Sequence, residues 1–164
     1  MIFVILGSQK NQFDRLLKAI DDQVLSGEID ETVFAQIGYS DYAPQHYSYR
    51  KFLDHDDFEK MEEMADLVIT HGGTGAIMGA LKKGKKVIAV PRRFDLGEHN
   101  DDHQIQIVRQ FAQTGVITCC EDTDTLGDVI KEVRSGTCQE YHAAYRSNTA
   151  GYLDEISAYI DSIG

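Results

Sequence analysis

The 164-residue chain lacks any apolar run long enough to cross a bilayer. It also lacks a basic leader ahead of a hydrophobic segment. The apolar start, Ile2 to Leu6, is too short for a secretory signal. A cytoplasmic location is therefore expected. Basic residues are scarce: 16 Lys and Arg stand against 27 Asp and Glu, for a net charge of -11. That balance argues against general nucleic-acid binding, which needs a positive footprint, and against direct adhesion to an anionic membrane. Cysteine is sparse and odd in number. Cys119, Cys120 and Cys138 form neither a CxxC zinc pattern nor a disulfide framework. Buried reduced thiols in a reducing compartment fit them. Internal repeats, low-complexity segments and linkers are also missing. A single domain over residues 1–164, long enough to bury a core, is the expectation.

What is present is an alternation of apolar runs and helical periodicities. Ile2 to Leu6 reads as a strand buried on both faces, broken by Gly7-Ser8-Gln9. Phe13, Leu16, Leu17, Ile20 and Val24 recur at helical spacing. Thr32 to Ile37 reads as a second strand and Tyr49 to Leu53 as a third. Asp56 or Asp57 is a candidate cap for a helix carrying Phe58, Met61 and Met64. Strand Asp66–Thr70 follows, then a helix ending near Lys82-Lys83-Gly84. Lys86 to Val90 is the next strand, halted by Pro91. A polar loop leads to a helix with Ile105, Val108 and Phe111. Val116 to Cys119 is the last strand, and Thr123 or Thr125 could cap a helix through Val133. A helical tail is expected from about residue 139 to 164. This alternation implies an α/β fold, Rossmann-like, with a parallel sheet covered by helices on both faces.

The most informative segment is Leu67-Val68-Ile69-Thr70-His71-Gly72-Gly73-Thr74-Gly75-Ala76-Ile77. A strand enters a helix there through a glycine-bearing turn. Such a turn leaves N–H groups unpaired at the helix start, where the dipole also favours phosphate. The turn does not match G-x-G-x-x-G cleanly and lacks the lysine of a P-loop. A glycine-rich connection that only packs a helix on a sheet fits the same residues. His71 fits either an ordinary hydrogen-bonded histidine or a donor to an anionic oxygen. Ligands on parallel sheets sit outside the carboxyl ends of the strands, where strand order reverses. Gly7-Ser8-Gln9, His71 to Gly75, and the loop after Pro91 all lie at such ends.

With these segments placed, the chain resembles the C-terminal domain of glycosyltransferase family 28, of the GT-B fold. It is more narrowly similar to small stand-alone versions: the cytosolic subunit of the dolichol-linked GlcNAc transferase, and the PssE-like or EpsF-like proteins of exopolysaccharide and capsule synthesis. The resemblance rests on Ile2 to Gln9 followed by Phe13 to Leu17, on Ala65 to Gly75, on Gly84 to Arg92, and on Gly97 to Gln104. It implies a glycosyltransferase domain that grips a UDP-sugar donor (UDP-GlcNAc, UDP-Gal or UDP-Glc), inverting at the anomeric carbon, with no tightly bound cofactor and no metal. Gly7, Ser8 and Gln9 would face the diphosphate. His71, Gly72, Gly73, Thr74 and Gly75 would hold phosphates through backbone amides, with Thr74 or His71 as side-chain donors. Pro91 and Arg92 would border the uracil pocket, and Asp102, His103 and Gln104 would approach the donor sugar. One departure stands out. The family usually carries a ribose-holding glutamate on the helix after the glycine turn, and the matching residue here is Gly79.

The resemblance also implies a missing half. The acceptor site and catalytic base of a GT-B enzyme belong to its N-terminal domain, whereas this chain begins on a strand of the nucleotide domain. A separate membrane-anchored, acceptor-binding subunit resembling PssD would supply them and recruit the chain to the inner face of the membrane. Tyr152, Leu153, Ile156, Tyr159 and Ile160 in the tail could dock that subunit or pack on their own domain. Three rival readings remain. One is a non-catalytic nucleotide-binding or regulatory subunit. Another is a UDP-GlcNAc 2-epimerase-type protein, whose reaction also needs two domains. The third is a metal site on His99 and His103, which share a face if helical.

Overall fold

The computed structural model describes residues 1–136. The expected tail, with Cys138, lies outside the described residues. Six parallel strands form one sheet in the order β3-β2-β1-β4-β5-β6. They are β1 (Ile2–Ile5), β2 (Val33–Gln36), β3 (Ser48–Arg50), β4 (Leu67–Thr70), β5 (Lys86–Ala89) and β6 (Thr118–Cys119). Between and after them run α1 (Asp14–Ser26), α2 (His55–Met64), α3 (Thr74–Lys82), α4 (His103–Gln113) and α5 (Leu126–Ser135), with 3-10 turns at Phe94–Leu96 and Thr123–Thr125.

The continuous apolar strands have the physical cause expected of them. Ile2 and Val4 of β1, and Leu6 just after it, enter one core with Leu16, Leu17 and Ile20 of α1 and Ile130 and Val133 of α5. Phe3 and Ile5 enter the opposite core with Ile77 and Leu81 of α3 and Val108 and Phe111 of α4. Successive side chains alternate faces, so a strand covered on both sides must be apolar throughout. β1 pairs with both β2 and β4, in register Ile5↔Gln36 and Ile5↔Thr70. Strand order therefore reverses beside β1, and the crevice between the β1 and β4 loops is the position where ligands sit on sheets of this kind.

Several boundaries differ from the sequence expectation: β6 begins at Thr118, not Val116, and the ends of β1, β2, β4 and β5 shift by one residue. β3 starts at Ser48 and ends at Arg50, not Tyr49 to Leu53. All three of its residues are exposed at the sheet edge, so no burial pattern marks it. The cap of α2 is Asp54, whose carboxylate accepts from the Asp57 N–H at 2.8 Å; Asp56 and Asp57 lie in the first turn. Further on, Asp122 caps the second 3-10 turn. Thr125 precedes α5, but its hydroxyl donates to the Asp122 carbonyl instead of capping that helix.

The loop after β2 is fixed by a buried carboxylate. Asp21 of α1 accepts from the Tyr42 hydroxyl at 2.7 Å, the Gln45 N–H at 2.9 Å and the His46 N–H at 2.8 Å. Burial pushes this carboxyl up, but those hydrogen bonds outweigh it and hold it below the ordinary value. The same bond raises the Tyr42 hydroxyl to about 12. Asp21→Ala strands three donors at once, and a loss of about 2–4 kcal/mol is expected in the unfolding free energy measured by chemical denaturation.

Candidate functional site

A cleft of about 560 Å³ opens at the carboxyl ends of β1 and β4. Gly7, Ser8, Gln9, His71, Gly73, Thr74, Gly75 and Gln104 line it, joined by Glu62, Ala76 and Gly79. These residues belong mainly to the β1 loop and the start of α3. Gly73 is the N-cap of α3, and no side chain caps the helix. The first intrahelical bond runs from Ile77 N–H to Gly73 O. The amides of Thr74, Gly75 and Ala76 thus have no acceptor within the helix. No acidic residue stands in this first turn to occupy the dipole.

The glycines differ in purpose. Gly7 has φ +72°, and a Cβ there would lie 2.6 Å from the His71 ring. A Cβ on Gly73 would meet His71 Nε2 at 2.3 Å. His71 thus fills the space between the two loops, and both approaches require glycine. Gly72 does not line the cleft. It packs under α4, where a Cβ would come within 2.8 Å of Gln104 Cβ. At Gly75 a Cβ would meet nothing within 4 Å.

His71 is not placed to donate to phosphate from its side chain. Its Nδ1 lies 3.2 Å from the Ile5 carbonyl, which can only accept, so Nδ1 carries the proton. Nε2 of the neutral ring is then an acceptor. Burial, and next the nearby Arg92 charge, bring its pKa down to about 4, against the pull of the Ile5 hydrogen bond. Thr74 is left as the side-chain donor of the turn.

Arg92 is placed differently from the expectation. Its side chain is 1 % exposed and does not border the cleft. Nη2 donates to the carbonyls of Leu6 at 2.9 Å and Asn11 at 3.1 Å, so the guanidinium clasps both ends of the Gly7–Ser8–Gln9 loop from beneath. Nε and Nη1 have no hydrogen-bond partner among the described residues, and the group lies 5.4 Å from the Phe13 ring centroid. Burial lowers its pKa to about 10. The Arg92 N–H donates to Gln104 Oε1 at 3.3 Å, leaving the NH2 of that carboxamide for the cleft.

Pro91 and Asp102 line a separate hollow of about 340 Å³ with Arg93 and Glu121. Asp102 accepts from the Phe94 N–H. His103 is exposed at the start of α4 and lines neither space. The loop after Pro91 is held by Glu98, 2 % exposed, which takes a two-pronged bond from Arg15 (2.9 and 3.0 Å) and accepts from the Arg93 N–H. His99 precedes α4, so it does not share a helix face with His103. Its Nδ1 lies 3.1 Å from the Asp101 carboxylate. Among the described residues no group of three or more His, Cys, Asp or Glu is placed to hold a metal ion. Nor is any described helix long and apolar enough to cross a membrane.

Glu62 went unnoticed in the sequence. It lies on α2, is 2 % exposed, and contacts the cleft beside Gly79. A charged residue in the acidic stretch Glu59–Glu63 reads as a solvated helix face. Its burial comes from neighbours distant in sequence, among them Gly79 and Lys83.

The family model for the glycosyltransferase family 28 C-terminal domain matches residues 1–157. The UDP-N-acetylglucosamine transferase subunit ALG13 of Homo sapiens is 27 % identical over 165 residues, covering 93 % of this chain and 14 % of that protein. Its namesake in Saccharomyces cerevisiae is 32 % identical over 97 residues, covering 55 % of this chain and 46 % of that one. The chain thus spans less than half the length of these relatives. In fold it is similar to MurG of Acinetobacter baumannii (TM-score 0.60, 19 % identity, 94 % of this chain and 49 % of that one). It is also similar to the C-terminal CMP-Kdo binding domain of WaaA from Acinetobacter baumannii (TM-score 0.58, 10 % identity, 92 % and 89 %).

Two experiments separate packing from ligand contact here. Gly7→Ala combines a left-handed backbone with a steric conflict and is expected to lower stability by about 1–3 kcal/mol in denaturant unfolding. Gly75→Ala is expected to leave stability within about 0.5 kcal/mol, since its Cβ enters open space. For His71, the folded pKa of about 4 lies below the ordinary 6.5. The unfolded chain binds the extra proton between those values, so stability falls as pH drops from 6.5 towards 4, by up to roughly 3 kcal/mol. Unfolding free energies measured across that window should show a shallower decline in His71→Gln.

Proposed function

Because the chain belongs to the glycosyltransferase family 28 C-terminal domain family, we propose that it is the donor-binding subunit of a two-component UDP-sugar glycosyltransferase. The single observation that carries this reading is the uncapped start of α3, whose Thr74, Gly75 and Ala76 amides open onto the cleft beside the Gly7 loop. A nucleoside diphosphate leaving group gains negative charge as the glycosidic bond breaks. Fixed N–H donors and a helix dipole stabilise that charge without reorganising. The Thr74 hydroxyl adds a donor, and the free NH2 of Gln104 can meet a sugar hydroxyl. Pro91, Arg92, Asp102 and His103 act through loop placement in this reading, Arg92 by clasping the diphosphate loop.

His71 is a poor general base, with a pKa near 4 and its ring wedged between two loops. We assign the base, and the lipid-linked acceptor, to a membrane-anchored partner resembling PssD, which would hold this chain at the inner face of the membrane. The relatives' name makes UDP-GlcNAc the first donor to try, with UDP-Glc and UDP-Gal as alternatives. The process would be exopolysaccharide, capsule or glycan-precursor synthesis. A non-catalytic nucleotide-binding role draws support from Gly79, which leaves α3 without a carboxylate facing the cleft.

Calorimetry of the full chain with UDP, UDP-GlcNAc, UDP-Glc, UDP-Gal and ADP tests the donor site. Saturable binding of UDP and at least one UDP-sugar, weakened about tenfold in Thr74→Val by loss of a hydrogen bond to a charged group, is the expected result. Absence of UDP binding would overturn the proposal. Sugar transfer to a lipid-linked acceptor is expected only when the partner is added, and binding without transfer in that mixture favours the non-catalytic role.

A further inference from the structure

Glu62 is a cleft-lining residue whose chemistry the phosphate cradle does not use. Its side chain is 2 % exposed on α2. Oε2 lies 2.6 Å from the Lys83 ammonium at the end of α3. Oε1 has no hydrogen-bond partner among the described residues. Lys83 also binds Glu59 at 2.6 Å. Burial lowers the Lys83 pKa, yet its bonds to Glu59 and Glu62 together hold it above the ordinary lysine value. One carboxylate oxygen is thus fixed by a cation and the other is left over.

Gly79 faces that spare oxygen. A Cβ on Gly79 would lie 3.3 Å from Glu62 Oε1 and 3.9 Å from Oε2, and both residues line the cleft. The backbone of Gly79 is not in the left-handed region, so conformation does not demand glycine there. What glycine provides is room beside the carboxylate. Gly79 stands five residues beyond Thr74, about 7.5 Å along α3 at the usual rise per residue. A nucleotide anchored by its diphosphate at the helix start and lying along α3 brings its ribose into this stretch.

We infer that Glu62, reaching across Gly79 from the neighbouring helix, accepts hydrogen bonds from the ribose hydroxyls of the donor nucleotide. The inference rests on the donor-site reading above. A buried carboxylate oxygen without a donor is costly, and a hydroxyl pair removes that cost while reading the sugar. The helix that forms the phosphate cradle then carries no ribose ligand of its own. A second helix supplies it, and Lys83 fixes its orientation.

Calorimetry of the full chain with UDP, 2′-deoxy-UDP and 3′-deoxy-UDP tests this. The wild type should favour UDP over at least one deoxy form by about tenfold or more, the range of a hydrogen bond to a charged group. Glu62→Gln should weaken UDP by about tenfold while leaving that deoxy form within about twofold, so the preference collapses. Gly79→Ala, which keeps Glu62 and Lys83 and adds only a methyl beside Oε1, should erase the same preference in a folded protein. Retention of the UDP preference in either folded variant overturns the assignment, as does equal weakening of UDP and both deoxy forms. Loss of a preference between UDP-sugar and UDP, with ribose discrimination intact, places Glu62 on the donor sugar instead and also overturns it. If the wild type binds no UDP at all, the donor-site reading fails, and this one with it. Binding with unchanged discrimination sinks only the role of Glu62.

Discussion

The contact on which the cleft depends is the His71 ring held between Gly7 and Gly73. One hydrogen bond, from Nδ1–H to the Ile5 carbonyl, ties the end of β4 to the end of β1. The Thr70 hydroxyl donates to the same carbonyl at 2.9 Å. The two loops that flank the reversal of strand order are therefore set at one fixed spacing, with an aromatic ring as the spacer. Any side chain on Gly7 or Gly73 would collide with that ring. The glycines are thus required from behind, by the protein itself.

A second layer of side chains reinforces the first. Arg92 clasps the two ends of the β1 loop, Gln104 takes the Arg92 amide, and Gly72 lets α4 close over the β4 loop. Glu98 ties the loop after β5 to α1 through Arg15. Three loops from three strands are held mainly by buried polar bonds between distant segments. Such bonds are costly to break singly, because each leaves a partner unsatisfied inside the protein.

The sheet was legible because its signals are local. Ile2 to Leu6 and Leu67 to Ile69 are apolar without interruption, the pattern of a strand covered on both faces, and both runs are short and lead into glycine-bearing turns. The glycine turn was legible because glycines gather where a backbone must approach something closely. Other features were not local. Asp54, Asp56 and Asp57 are equivalent acceptors in a four-residue stretch, and the phase of α2 decides which one caps it. Ser48–Arg50 is an edge strand with every side chain exposed, so nothing periodic marks it. Arg92 follows the strand-ending Pro91 and looked like part of a pocket rim, but its direction is set by the carbonyls of Leu6 and Asn11, some eighty residues earlier. Glu62 became visible only when α2 was laid against Gly79.

The burial of Arg92 has a wider electrostatic meaning. The molecule carries a net charge of -11, and from a distance an anion is repelled by it. Close to the β1 loop a guanidinium sealed from water lies just behind the backbone, where mobile ions cannot surround it. The charge of Arg92 is therefore screened less by salt than that of a surface lysine or arginine. Salt that weakens the long-range repulsion of the surface thus leaves the field of this buried charge largely intact.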